Sequence, residues 1–249
     1  MVKVRLLRIL DFFGLKTIFY KILSVYGYRI TRKFADYEYT RMVIYKSLKI
    51  DTILDIGANI GQYANIMREL GYDGHILSFE PMKKEYDLLL QNSENDKNWN
   101  VFNYGFGDKN EQLSINISQN SYSSSLLNLT NSQLEGDWRS RNIGTEKVSI
   151  IDFNSYLENF DFTNKVALKL DVQGYEFKII KTIEDKVHLF ALIQLEVSLT
   201  ELYKGETLYF QIDDFLRGKN FVLVSIEPGF YNNQTGQMLQ SDFIYIKKI

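Results

Sequence analysis

The spacing of apolar positions changes near residue 50. Before it, Val4, Leu7, Leu10, Phe13 or Leu15, Ile18, Ile22 and Val25 recur at roughly helical intervals, with Gly14 and Gly27 as punctuation. This pattern predicts two short amphipathic helices, and a third is expected over 36–48. From Thr52 onward, short apolar runs alternate with helical stretches. Strands are predicted over 52–56, 75–79 and 101–104, with helices over 62–70 and 83–91 between them. Strand 166–170 then leads to helix 175–183, and strand 192–197 to a helix over 208–217. Alternation of this kind implies a parallel sheet with right-handed crossovers. The last two strands, 221–226 and 243–246, are joined by the polar loop 232–240 with no long helix, which predicts an antiparallel hairpin at the sheet edge.

The stretch 108–165 breaks the rhythm. Residues 112–118 alternate, with Leu113, Ile115 and Ile117 apolar, as in a half-exposed strand. Residues 121–125 and 128–133 read as polar loop, and 147–151 as another short strand. The expected organisation is a helical appendage (1–48), an α/β body (49–249) and, within the body, an insertion over 108–165 beside the ligand cleft.

Composition narrows the options. With 45% hydrophobic and 24% charged residues, the chain of 249 residues can build a core and is not intrinsically disordered. It has no cysteine and only two histidines, His75 and His188. A disulfide framework is excluded, a thiolate or histidine-rich metal site is not expected, and a cytoplasmic location fits. The net charge of −2 hides an asymmetry. Residues 1–48 carry ten Lys/Arg against three acids, a surplus of +7, which leaves −9 on the remainder. A basic arm on an acidic body suits an anionic partner or the inner face of a membrane. Its apolar stripe equally suits packing on the body or on a second subunit. Arg5, Arg8, Asp11, Lys16 and Lys21 interrupt the early apolar residues, so the run of about 20 needed to span a bilayer is not reached.

The chemistry concentrates at predicted strand ends. The segment Leu54-Asp55-Ile56-Gly57-Ala58-Asn59-Ile60-Gly61-Gln62 reads as a strand, a glycine turn and a helix start. Gly57 and Gly61 are expected to let backbone approach a ligand, and the helix start offers free N–H groups. The spacing is G-x-x-x-G rather than the dinucleotide G-x-G-x-x-G. Asp55, just ahead of the turn, would repel a phosphate and attract the ammonium of a methionine moiety. The second strand ends at Glu80-Pro81, 25 positions after Asp55, close to the roughly 20-residue interval of an acid that grips ribose hydroxyls. A ribose binder with an ammonium binder fits S-adenosylmethionine better than a nicotinamide dinucleotide. The third strand is expected to end at Gly105-Phe106-Gly107-Asp108, where Asp108 would reach the adenine amine.

These segments, with Lys169-Leu170-Asp171-Val172-Gln173-Gly174-Tyr175-Glu176, Leu195-Glu196-Val197, Leu202-Tyr203-Lys204-Gly205 and Gly236…Asp242-Phe243, resemble the FkbM family of methyltransferases over about 50–247. The resemblance implies a Rossmann-like class I methyltransferase fold: a mostly parallel seven-stranded sheet with an antiparallel edge strand. It also implies O-methylation with S-adenosylmethionine, often on sugars. Gln173 departs from the family's usual glutamate, whereas Asp171 and Glu176 follow the pattern.

Methyl transfer from a sulfonium to a hydroxyl needs alignment of the acceptor oxygen and removal of its proton. Asp171 and Glu196 stand at the ends of adjacent predicted strands, whose spacing of about 5 Å lets both face one cleft. Asp171 is expected to position cofactor or acceptor, and Glu196 to act as base or hydroxyl anchor. Glu176 is expected to neutralise Lys169 or to contact the acceptor. Two close carboxylates can also hold a divalent cation, but with no third ligand in the pattern a metal is not favoured. Tyr122, Ser124, Trp138, Arg141, Tyr203 and Tyr231 are candidate acceptor contacts, since neutral hydrogen-bonding groups beside aromatic faces suit a carbohydrate. Three other readings stay open: a methyltransferase for nucleic acid or for a non-sugar natural product, a non-catalytic binding module, and a nicotinamide-dependent oxidoreductase. The acidic body and the absence of Pro-Pro weigh against nucleic acid, and the glycine spacing against the dinucleotide.

Overall fold

The computed structural model describes residues 36–162 and 165–248. Residues 1–40 separate as a unit of their own from Arg41–Ile249. The two amphipathic helices expected over 3–26 therefore lie outside the described residues. Among those described, no helix is long and apolar enough to cross a membrane.

Helix α1 spans Tyr37–Leu48. The body then runs β1 (Thr52–Ile56), α2 (Gln62–Glu69), β2 (His75–Phe79), α3 (Lys83–Ser93), β3 (Trp99–Phe102), β4 (Gly105–Gly107) and β5 (Glu111–Ser118). It continues with α4 (Asn131–Gly136), β6 (Asn142–Asp152), α5 (Phe153–Glu158), β7 (Val166–Leu170), α6 (Glu176–Thr182) and β8 (Leu192–Ser198). Helix α7 (Tyr209–Gly218), β9 (Phe221–Pro228) and β10 (Gln240–Lys247) complete it. Seven strands form one sheet in the order β3-β2-β1-β7-β8-β10-β9. Neighbours from β3 to β8 are parallel, while β10 runs antiparallel to both β8 and β9. The expected hairpin is present, with β10 inside and β9 at the edge. This strand order is that of the Rossmann-like class I methyltransferase fold.

Period-two alternation sends side chains to two helix-covered faces. On one face Leu54, Leu168, Ile193 and Phe243 pack with Ile179 and Ile180 of α6 and Leu216 of α7. On the other, Ile53, Ala167, Leu192 and Ile244 pack with Tyr45 of α1 and Ala64 and Met67 of α2. Both faces are apolar at the start of the strands, so β1 and β7 are buried along their whole length. At the carboxyl end the second face turns polar, and the functional groups gather there.

Three boundaries differ from those the pattern predicts. The third strand stops at Phe102 instead of running through Gly105–Asp108. The Asn103 side chain donates to the carbonyls of Glu80 (3.0 Å) and Pro81 (3.1 Å), and the chain leaves the sheet. Gly105–Gly107 then pairs parallel with β6 in a second sheet of order β4-β6-β5. The strand expected over 147–151 extends to Asn142–Asp152, because it pairs with all of β5, including exposed positions with no apolar signal. Part of the expected loop 128–133 is helix α4. The second sheet buries Ile115, Val148 and Ile150 against Met82, beside the carboxyl edge of the main sheet.

Gly61 and Gly71 both have left-handed backbone (φ 91° and 84°), but a Cβ on Gly61 would meet Trp99 and Leu89 at 2.7–2.9 Å, whereas one on Gly71 meets nothing within 4 Å. Gly71→Ala should therefore cost about 1–2 kcal/mol of backbone strain, and Gly61→Ala about 3 kcal/mol or more once overpacking is added. Thermal melts of the two variants measure the difference.

Candidate functional site: a cleft at the carboxyl edge of the sheet

The polar end of the second face is organised by Lys169. It is Asp55's partner in register on β7 and Gln194's on β8. Its ammonium lies 3.0 Å from the Asp55 carboxylate and 3.6 Å from that of Asp171, and it donates to the Gly57 carbonyl (3.2 Å). The Tyr63 ring of α2 lies 5.4 Å from the ammonium. Burial opposes the charge, but Asp55 and then Asp171 raise the Lys169 pKa above that of an ordinary lysine. The other oxygen of Asp55 accepts from Ser78 (2.9 Å), whose hydroxyl in turn accepts from the Trp99 indole (3.0 Å). Asp55 is fully buried.

Above this pair the β1 turn opens one wall of the cleft. Gly57 (φ 77°) is required by a close approach: an added Cβ would fall 1.9 Å from the Asp171 carbonyl oxygen. Asn59 (φ 50°) holds the turn by accepting from its neighbour's N–H at Ile60 (2.9 Å) and from Gln62 (3.3 Å). At the end of β2, the Glu80 carboxylate accepts from the N–H groups of Asn59 (2.9 Å) and Met82 (2.8 Å). Burial outweighs these two bonds and pushes the Glu80 carboxyl up to about 7. Met82, Phe106, Ile115, Val148 and Ile150 give the cleft an apolar wall.

The opposite wall is the turn after β7. Gln173 and Gly174 are consecutive left-handed residues (φ 54° and 92°). The Glu176 carboxylate clamps them by accepting from the N–H groups of Val172 (2.8 Å) and Gly174 (3.0 Å). Burial nevertheless pushes the Glu176 carboxyl up to about 8. The Gln173 side-chain amide donates to Asp171 (2.8 Å) and to Glu196 (2.7 Å), while its oxygen accepts from the Tyr203 hydroxyl (2.6 Å). Glu196 also accepts from Gln240 of β10 (2.9 Å), and its register partner on β10 is Asp242. Burial, then Asp171 and Asp242, push the Glu196 carboxyl well above the usual carboxylate range. Burial, then Asp171, pushes Asp242 up to about 6.

Of the residues singled out in the sequence, Gly57, Asn59, Glu80, Pro81, Asp171 and Glu196 line the cleft, with Tyr122 and Ser124. The others stand elsewhere, each for a physical reason. Asp55 is neutralised by Lys169 and is not free to attract an ammonium. Lys169 itself lies under the floor. Gly61 serves packing against Trp99 rather than ligand approach. Gly107 sits in β4 against Ile150, and Asp108 is exposed outside the lining, because β4 has left the main sheet. Glu176 is spent on the turn. Tyr203 is fully buried behind Gln173. Trp138 is 60% exposed with the Arg141 guanidinium 5.3 Å from its ring, and Tyr231 bridges to Met238; none of the three is in the lining. The sequence reading missed the bridging role of Gln173 and the contributions of Gln240 and Asp242. The departure from the family glutamate marked Gln173, but only the β8–β10 register reveals the other two.

A family model described as the methyltransferase FkbM domain matches residues 55–223. The chain belongs to the FkbM methyltransferase family. It is an S-adenosylmethionine-dependent methyltransferase. One relative is the hexuronic acid methyltransferase AglP of Haloferax volcanii, 20% identical over 191 residues that cover 74% of each chain. Among solved structures, the chain is similar to Aeropyrum pernix fibrillarin in complex with S-adenosyl-L-methionine (12% identity, TM-score 0.45, 79% of this chain and 66% of that one). It is also similar to an rRNA methylase from Streptococcus thermophilus (9% identity, TM-score 0.45, 89% and 100%). These likenesses are loose, and the fold rests on the strand order itself. The FkbM cleft fits its cofactor. Glu80 lines the cleft at the end of β2, where an acid would hold ribose hydroxyls, and the apolar wall beside it would suit a nucleobase. Among the described residues, no group of three or more His, Cys, Asp or Glu is arranged to hold a metal ion.

Two predictions follow from this geometry. Removing Lys169 leaves the Asp55 carboxylate buried without its counter-charge, so Lys169→Met should cost about 3–5 kcal/mol. The double variant with Asp55→Asn should recover part of that loss in denaturant melts. Glu80 has a carboxyl pKa of about 7 in the free protein. Ribose hydroxyls donate to the ionised form, so binding below that pH must first release a proton. Affinity for S-adenosylmethionine should fall up to about tenfold per pH unit below 7, and Glu80→Gln should bind more weakly with a flat profile. Calorimetric titrations from pH 5.5 to 8.5 measure both.

Proposed function

We propose that the acceptor is a sugar hydroxyl, methylated on oxygen. The observation that carries this reading is the acidity of the cleft around Asp171, Glu196 and Asp242. An anionic acceptor atom would be repelled there, whereas a neutral hydroxyl finds acceptors for its proton. S-adenosylmethionine supplies an electrophilic methyl group when bound. Glu196, pushed well above the usual carboxylate range by burial and by Asp171 and Asp242, would have the proton affinity to take the hydroxyl proton as the methyl carbon exchanges its bond to the sulfonium sulfur for one to the acceptor oxygen, leaving the neutral thioether. Asp171, with its side chain 38% exposed in the lining, orients the hydroxyl. Ser121 and Tyr122 on the opposite rim offer neutral hydrogen bonds and an aromatic face to a sugar ring. The hexuronic acid methyltransferase relative supports a carbohydrate acceptor; in a uronate, the reading assigns the methyl to a ring hydroxyl rather than to the carboxylate.

The test is incubation with methyl-labelled S-adenosylmethionine and oligosaccharides with and without uronic acid, followed by mild alkali. Label that survives alkali in the sugar fraction is a methyl ether and supports the proposal. Alkali-labile label is a methyl ester and overturns the hydroxyl acceptor, and label confined to RNA or DNA overturns the carbohydrate class. Glu196→Gln should lower kcat by about 100-fold or more with cofactor affinity retained.

A further inference from the structure

Gln173 touches both cleft carboxylates without belonging to the family pattern, and its geometry admits one arrangement. An ionised carboxylate only accepts hydrogen bonds, so the two N–H groups must face Asp171 and Glu196, at 2.8 and 2.7 Å. The amide oxygen then faces the Tyr203 hydroxyl, which donates to it at 2.6 Å. A flipped amide would turn its oxygen on two anions. The backbone is fixed as firmly: the Gln173 carbonyl accepts from the Ser125 hydroxyl (2.6 Å), and the flanking N–H groups are held by Glu176.

We propose that Gln173 is a positioning residue that holds the Asp171 and Glu196 carboxyls together through its two side-chain N–H groups, with Tyr203 fixing the direction of its amide. This inference rests on the reading of Glu196 as the base. Two carboxylates converging in a buried site disfavour each other's charge. The charged and titratable groups around Glu196 are Asp171 just after β7, Glu176 on α6, Asp242 on β10 and Tyr203 after β8, and Lys169 on β7 reaches Asp171. Lys169 is drawn toward Asp55, so the Gln173 and Gln240 amides are the donors that reach Glu196 directly. Of these two, only Gln173 also reaches Asp171. A glutamate at this position would remove both N–H donors and add a third negative charge. It would leave Glu196 protonated to higher pH and so raise the pH at which it can accept the acceptor's proton.

The experiment compares the full chain with Gln173→Glu and Tyr203→Phe. The Glu196 carboxyl is followed by NMR in protein labelled with 13C at glutamate carboxyls, assigned with Glu196→Gln, and the pH dependence of kcat is measured alongside. In Gln173→Glu, the Glu196 titration and the acidic limb of kcat should move together to higher pH by about one unit or more, about a tenfold loss of rate per unit below the new limb. Affinity for S-adenosylmethionine should stay unchanged. Tyr203→Phe, which frees the amide to turn, should move both in the same direction by less, and it decides the matter if Gln173→Glu does not fold. Titrations and limbs matching those of the unaltered chain would overturn the proposal, as would lost cofactor affinity with no displacement of either. The carboxyl titration needs no acceptor. If no sugar takes the methyl group, the proposed function fails by itself while Gln173 is still judged.

Discussion

The buried pair of Lys169 and Asp55 is the constraint on which the cleft is built. It joins the ends of the two central strands, β1 and β7, at a depth where neither charge reaches water. Isolated, either ion would cost several kcal/mol of desolvation. Besides each other, Asp55 has the Ser78 hydroxyl, and Lys169 has Asp171, the Gly57 carbonyl and the Tyr63 ring. The pair fixes how closely the turn after β1 approaches the end of β7. That approach leaves no room for a side chain at Gly57. The two walls of the cleft are thereby held at one spacing by a contact that lies beneath the lining.

Above that floor, carboxylates with similar chemistry are sorted by their partners. Glu80 and Glu176 both accept backbone N–H groups, but Glu80 stays in the cleft lining, whereas Glu176 is consumed in holding two left-handed residues. Asp171 and Glu196 accept from one shared amide and keep their exposure to the cleft. The burial that makes Glu80, Glu176 and Glu196 hard to ionise also keeps water from them. Charge separation between the walls is achieved by placement within one sheet face rather than by distance along the chain.

The architecture was legible because β1 and β7 are buried on both faces and read as short apolar runs over 52–56 and 166–170. Where burial was partial, the pattern weakened. Strand β6 continues through exposed Asn142 and Gly144 because β5 offers backbone partners, and no apolar alternation announces that. The glycine turn and Glu80, both marked in the sequence, lie in the cleft lining. Yet an aspartate at a strand end looks the same in sequence whether it faces a ligand or a buried lysine, so Asp55 was assigned to the cleft when its partner is Lys169. Asp108 was misplaced because the turn at Asn103 moves the chain into a second sheet. Asp242 was marked only by the family resemblance and Gln240 by nothing local, since their meeting with Glu196 depends on pairing across more than forty residues.

The position of β10 has a consequence for how the enzyme comes into being. This strand is latest of the seven in the sequence but lies between β8 and β9, so the sheet cannot close by adding strands in the order of synthesis. Strand β9 has no neighbour in the main sheet until residues 240–247 arrive and slide in antiparallel. The same strand delivers Gln240 and Asp242 to Glu196. Without it, Glu196 would lack its Gln240 donor and β9 its neighbour in the main sheet, so one strand ties the last step of sheet closure to the completion of that side of the cleft.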